Sequence, residues 1–206
     1  MFDGTGYLYK DDIEAGSSSW SFSGWFKRSD ISDGYASLFS AKNSSSNSSN
    51  LALTGGGKLV QDRPSYNFSE SFGTMRDTNW FHAVITHDGS KGHLYINGKL
   101  QEIITTGQTT NFNTAVVHTL GIASNNLSGS PFFGRMANIQ FIDGMVLDAG
   151  YFGEYIGANW VPKVYNGAYG ANGFHLDFSD LSFVDGTDDL ATVKDVSGND
   201  NHWQAA

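Results

Sequence analysis

The sequence predicts an all-β protein, a two-sheet antiparallel jelly-roll sandwich with little helix. Three observations lead there. Apolar and polar residues alternate with period two in one segment after another, and the 3.6-residue helical period is nearly absent. Aromatics make up 14% of the 206 residues, while 25 Gly and 24 Ser supply turns. At least nine short strand-like runs are separated by Gly-, Asn- or Ser-rich breaks, which is the rhythm of a sandwich.

Each element follows from its residues. In Trp20 to Lys27, Trp20, Phe22, Gly24 and Phe26 share one face, and Ser21, Ser23, Trp25 and Lys27 share the other. The first set predicts a core-facing stripe. Tyr35 to Ala41 reads as the next strand. Lys42 to Asn50 (K-N-S-S-S-N-S-S-N) reads as a solvated loop, because Ser and Asn side chains compete with the backbone for hydrogen bonds. Leu51 to Leu53 and Lys58 to Gln61 flank three glycines and predict a hairpin. Trp80 to His87, His93 to Ile96 and Lys99 to Thr105 form a meander. Its second turn, Asn97-Gly98, has the residues that a type I′ turn needs at positive φ. Val116 to Ala123, Arg135 to Ile142 and Phe174 to Phe178 add strands. Asp148 caps one expected helical turn within Asp148 to Ile156, and Asp195 to Trp203 reads as a turn-rich tail.

Charge and composition exclude several functions. A formal charge of −9 with scattered basic residues argues against nucleic acid as a partner. Zero cysteine excludes disulfides and Cys-based zinc sites. The longest apolar runs fall far short of a membrane span, and Met1 to Tyr7 has no signal-peptide character.

The meander W-F-H-A-V-I-T-H-D-G-S-K-G-H-L-Y-I-N-G-K-L resembles the core signature of laminin-G-like domains in the concanavalin A-like lectin/glucanase superfamily. Phe2 to Leu8 is similar to the family's first strand, Trp20 to Arg28 to its F-x-x-x-x-W-(V/F)-K strand, and Phe133 to Ile142 to its late strand. Together these cover about Phe2 to Ile156. Gly144 to Gly153 and Trp160 to Phe178 (W-V-P-K-V-Y-N-G-A-Y-G-A-N-G-F-H-L-D-F) resemble a subgroup found in phage and marine viral virion proteins. F-H-L-D-F-S-D with D-V-S-G-N-D-N-H-W resembles the opening of many such modules, yet it stands last here. Either the tail supplies a strand beside the first strand, or another module begins there. The expected organisation is one sandwich over 1–206, with 157–206 as an extension packing back near the N-terminal strand.

The resemblance implies candidate sites. Hydrolases of the glucanase branch carry E-x-D-x-x-E or E-x-D-x-E on one strand. Only Glu14, Glu70, Glu102 and Glu154 occur here, and none pairs at that spacing, so no catalytic residue is expected. A structural Ca²⁺ is implied at Asp177 with Asp3 and Gly4, since carboxylates and loop carbonyls suit this ion. Asp195, Asn199 and Asp200 form an alternative oxygen cluster. His87 and His93, with Asp88, flank a turn and could approach each other as metal ligands. For a sugar, Trp25 offers an aromatic face, with Tyr35, Asn43, Asn125 and Asn126 as loop candidates; the alternative is that Trp160 to Tyr169 covers Trp25. The expected function is a non-catalytic, lectin-like virion structural module that contacts other virion proteins and host-surface glycans. It would sit oligomeric on the virion surface, with no nucleic acid and no membrane insertion. A secreted bacterial carbohydrate-binding or adhesion module is the alternative, and a glycoside hydrolase with an unrecognised site is the third and least favoured reading.

Overall fold

Alternation on one long strand sets the architecture. The computed structural model describes residues 1–31, 34–44, 47–63, 66–104, 110–123, 129–180 and 192–206, with backbone alone at 43–44, 47, 62–63, 66–74 and 104. The strands are Phe2–Asp3 (β1), Leu8–Lys10 (β2), Ser19–Arg28 (β3), Ala36–Ser44 (β4), Asn47–Leu53 (β5), Lys58–Arg63 (β6), Tyr66–Thr74 (β7), Trp80–Asp88 (β8), Gly92–Ile96 (β9), Lys99–Ile104 (β10), Val117–Leu120 (β11), Phe133–Asp143 (β12), Gly153–Ile156 (β13), Asn159–Pro162 (β14), Phe174–Leu176 (β15), Thr192–Val193 (β16) and Trp203–Ala205 (β17). One sheet runs β1-β12-β3-β8-β9-β10, with β15 also on β12. The other runs β16-β17-β2-β11-β4-β5-β6-β7, and β13-β14 is a separate hairpin. All the pairs are antiparallel, as the predicted sandwich requires.

The inner stripe of β3 behaves as its residues dictate. Trp20, Phe22 and Phe26 are fully buried between the sheets. Phe22 stacks on Phe39 of the facing sheet with centroids 4.5 Å apart, and Phe39 stacks on Phe112 at 4.7 Å. Phe174 meets Trp203 edge-on at 5.0 Å. Trp203 is fully buried, so the tail's last strand contributes to the core. Its ladder places Ala205 opposite Leu8, and Ala206 exchanges backbone hydrogen bonds with Tyr7.

The structure departs from sequence expectation in three places. The Ser/Asn segment around Lys42 to Asn50 is a ladder where it is described: Ser48, Ser49 and Asn50 pair with Lys42, Ala41 and Ser40. Its polar groups find partners inside the sheet. Ser37 Oγ donates to Asn50 Oδ1 at 2.6 Å, and Ser49 Oγ accepts from Asn111 N–H at 2.8 Å. Satisfied polar side chains are as compatible with a buried strand as apolar ones. Strand β7 was not anticipated at all. His87 and His93 do not converge, because the register pairs His93 with Thr86 and His87 with Gly92. His87 stacks on Trp20 at 5.8 Å, whereas the His93 ring lies near Tyr95 at 6.3 Å. The two rings therefore belong to opposite faces of the sheet, and no joint metal site forms there.

Candidate functional site: a groove on the outer face of one sheet

The outer stripe of β3 (Ser21, Ser23, Trp25, Lys27) lies on the sheet's second face, and its fate changes along the strand. At one end, residues 145–169 lie across it. Ser21 Oγ donates to Met145 O and accepts from Leu147 N–H, both at 2.8 Å. Val84 and Ile142 pack under Leu147, Ala149, Phe152 and Tyr169. Asp148 caps the short 3₁₀ turn Ala149–Tyr151 by accepting from Gly150 N–H at 2.9 Å, as its position predicted. Tyr169 Oη donates to Gln140 Oε1 at 2.8 Å, and burial raises its pKa.

The covering segment stops at Trp160. Its indole N–H donates to His82 Nδ1 at 3.0 Å. An indole can only donate, so Nδ1 is unprotonated and Nε2–H donates to Ser23 Oγ at 2.8 Å. Burial pushes the His82 pKa down to about 3, which keeps the ring neutral in this role. Trp25 stacks on the same imidazole at 4.8 Å and Trp160 at 6.0 Å. Two glycines make room for Trp160. A Cβ on Gly98 or Gly153 would strike its ring, and Gly98 (φ 78°) with Asn97 (φ 48°) forms the left-handed turn that Asn-Gly predicted.

Beyond Trp160 the face opens into a groove of about 560 Å³. Trp25, 8% exposed, lies in its floor. Tyr155 and Trp160, ladder partners on the hairpin, form one wall. Tyr155 Oη donates to Asn97 O at 2.9 Å, which ties the hairpin to the turn. Trp80 stands at the opening, 41% exposed. Asn79, Asn97, Gln101 and Asn159 supply amides. Asp77 is the single carboxylate among the described lining residues. Aromatic faces with amide donors and acceptors suit the apolar face and hydroxyl edge of a sugar ring. A larger cavity of about 620 Å³ at the β12 edge is mostly apolar. Trp80 and Arg135 line it together with Asp177 and Phe178, so it adjoins the groove at Trp80.

The sequence-level candidates divide accordingly. Trp25 and Trp160, each ring stacked on His82, together line the groove. Tyr35 does not join it. It lines a separate hollow of about 120 Å³ with Arg28, Pro131 and Phe132. Asn43 is on β4, in the other sheet, with its side chain outside the description. Asn125 and Asn126 lie outside the described residues. Trp80, Tyr155 and Trp160 were missed as ligand candidates, although Trp80 is the ladder partner of Lys27 and so shares a face with Trp25.

The carboxylates suggested for calcium have local duties. Asp3 Oδ1 accepts from Thr5 Oγ1 at 2.6 Å, Thr5 N–H at 2.9 Å and Gly6 N–H at 3.3 Å, and these bonds hold its pKa near 2, the hydroxyl contributing most. Asp177 Oδ1 accepts from Ser179 N–H and Oγ, both at 2.9 Å. Asp195 accepts from His175, Ser197 and Asn201 N–H groups, and Asn199 and Asn201 give their amides to carbonyls of residues 170–173. Among the described residues, no group of three or more His, Asp or Glu is placed to hold a metal ion. Asp3, Asp177 and Asp195 each cap a local turn.

Comparison with known proteins fits the geometry. A family profile described as the concanavalin A-like lectin/glucanases superfamily matches residues 2–149. The hairpin that walls the groove lies beyond that stretch. A search of curated proteins finds no match. Among solved structures, a protein from Bacteroides ovatus described as carbohydrate binding superposes with a TM-score of 0.69 at 14% identity, over 97% of this chain and 55% of that one. Domain 4 of an extracellular arabinanase from Geobacillus stearothermophilus, in complex with arabinotriose, gives 0.57 at 20% identity, over 70% of each chain. The CBM40 module of a Ruminococcus gnavus sialidase, bound to α2,3-sialyllactose, gives 0.53 at 16%, over 68% of this chain and 80% of that one. At these identities the likeness concerns the fold.

Proposed function

The chain belongs to the laminin-G-like family of the concanavalin A-like lectin/glucanases superfamily, and from that premise we propose that it is a non-catalytic glycan-binding module. The observation that carries the reading is the groove, where exposed Trp80 and Tyr155 and the buried edge of Trp25 stand among four amides. A retaining glycosidase needs two carboxyls about 5 Å apart. The described groove lining offers only Asp77, and Glu14, Glu102 and Glu154 are not part of it. Among the described residues, the groove lining therefore offers groups suited to hold a sugar and no carboxyl pair of the kind that would cleave one.

The setting we propose is a virion surface, where the module decorates a capsid or forms part of a fibre or tail and contacts host glycans and other virion proteins. Support comes from the resemblance of Trp160 to Phe178 to virion sequences, and Trp160 is the residue that anchors the groove wall. A secreted bacterial carbohydrate-binding module is the second reading, favoured by the three bacterial structures above.

A glycan array probed with the natural chain and with Trp80→Ala tests the binding role. The expected result is bound glycans with the natural chain and at least about tenfold weaker binding with the variant, at an unchanged melting midpoint. Undiminished binding by Trp80→Ala would remove the groove from the reading. Mass spectrometry of purified particles tests the setting, since a chain absent from them is not a virion component.

A further inference from the structure

We propose that the groove selects acidic saccharides, those bearing a carboxylate or a sulfate, through Lys27, Arg135 and Lys99. This rests on the glycan-binding reading above and names the class of sugar. The ladder carries the argument. Lys27 on β3 is the direct partner of Arg135 on β12 and of Trp80 on β8. Their neighbours Phe26, Met136 and Phe81 point into the core, so Arg135, Lys27 and Trp80 stand side by side on the outer face of three adjacent strands. Lys99 lines the groove with Trp80. Lys27 and Arg135 line an adjoining hollow of about 260 Å³ with Thr78.

This placement runs against the rest of the molecule. The chain has 12 basic residues against 21 acidic ones, yet three of the 12 are collected around the one exposed tryptophan of this face. Among the described residues none of the three makes an ion pair. Like charges directly opposite on a ladder repel each other. An anion seated between Lys27 and Arg135 relieves that repulsion, and a guanidinium meets a carboxylate or sulfate through two parallel N–H bonds. Arg28 is excluded from this role. It is buried and gives its Nε to Asp30 O and its Nη1 to Met75 O, both at 3.0 Å. Asp77, the one acid among the described residues of the groove lining, has both oxygens engaged by Asn79, at 3.1 and 3.0 Å. Asp177, which lines the neighbouring cavity with Trp80 and Arg135, accepts from Ser179 and makes no ion pair with Arg135. The sugar ring stacks on Trp80 and its acid group lies over the Lys27–Arg135 pair.

The test applies the 206-residue chain to an array of neutral, carboxylated and sulfated glycans, alone and as the Lys27→Met/Arg135→Gln double variant. The expected result is a preference for acidic over neutral glycans that falls about tenfold in the double variant at an unchanged melting midpoint. The same preference should weaken as salt rises from about 0.05 M to about 0.5 M. Retention on sulfated or on carboxylated glycans alone identifies which anion is read. Neutral glycans bound as strongly as acidic ones, or a preference that survives in the double variant, overturns the inference and leaves the groove reading standing. No glycan of any class bound by the natural chain overturns both.

Discussion

The two ends of one sheet face invite comparison. At the covered end, Ser21, Val84 and Ile142 meet a segment whose backbone and rings answer each group: Ser21 Oγ is bonded twice, and Phe152 is 1% exposed. At the open end, Trp80 is 41% exposed and Lys27 faces Arg135, neither making an ion pair among the described residues. The strands are the same and the alternation is the same. The difference lies in where residues 145–169 stop, and His82 marks that boundary by holding Trp160 at its Nδ1. The covered end contributes packing to the fold, and the open end leaves its aromatic and cationic groups uncovered for the ligand proposed above.

The covered end should break first and hardest. Phe152→Ala removes a fully packed ring from the cluster under the segment and should cost about 3–5 kcal/mol, read as a shift in urea midpoint. A loss comparable to that of Trp80→Ala would erase the distinction between the two ends. Acid is the next lever. His82 and His118 have folded pKa values near 3 and near 4, both pushed down by burial from 6.5. The unfolded chain takes up protons below about pH 6.5 while the folded chain does not, so stability is complete above that pH and declines as pH falls toward 4 and 3. Each histidine can contribute at most about 2 kcal/mol of loss between pH 6.5 and 5. His82→Gln and His118→Gln should each flatten the slope, and an unchanged slope in both would assign the acid loss elsewhere. His118 Nε2 has no partner among the described residues, so its protonation leaves a buried charge unanswered.

A smaller change tests the boundary itself. Gly98→Ala puts a methyl group into the Trp160 ring and a side chain at φ 78°. It should cost about 1–3 kcal/mol and weaken glycan binding by displacing the groove wall. Weakened stability with intact binding would show that the wall tolerates the shift and that Trp160 is only a strut.

Much of this was legible from residue order. The two stripes of β3 separated core from outer face, Asn97-Gly98 gave its turn, and Asp148 gave its cap, because each depends on local chemistry. The Ser/Asn strands were not legible, because Ser49 and Asn50 are satisfied by Asn111 and Ser37, partners remote in sequence or set by register. The groove was half legible. Alternation put Trp25 and Lys27 on the outer face, but it could not say that Trp160 would cover one end and leave Trp80 bare at the other. Register separated His87 from His93, and register is a property of the pair, not of either strand.

Calcium is the smallest expected effect. Asp177 lines a cavity together with Trp80 and Arg135 of the open end, and the carboxylates of Asp3 and Asp177 each already accept from their own turn: Thr5 and Gly6 for Asp3, Ser179 for Asp177. In both residues these bonds fall on Oδ1, so a bound ion would compete for that oxygen or draw on Oδ2 alone. Adding EDTA, or millimolar Ca²⁺ after EDTA, should therefore move the melting midpoint by less than about 1 °C. A rise of several degrees with Ca²⁺ that vanishes in Asp177→Asn would instead establish an ion at Asp3, Gly4 and Asp177. It would also give this sandwich a third region whose stability depends on solution conditions, beside the acid-sensitive histidines and the open groove.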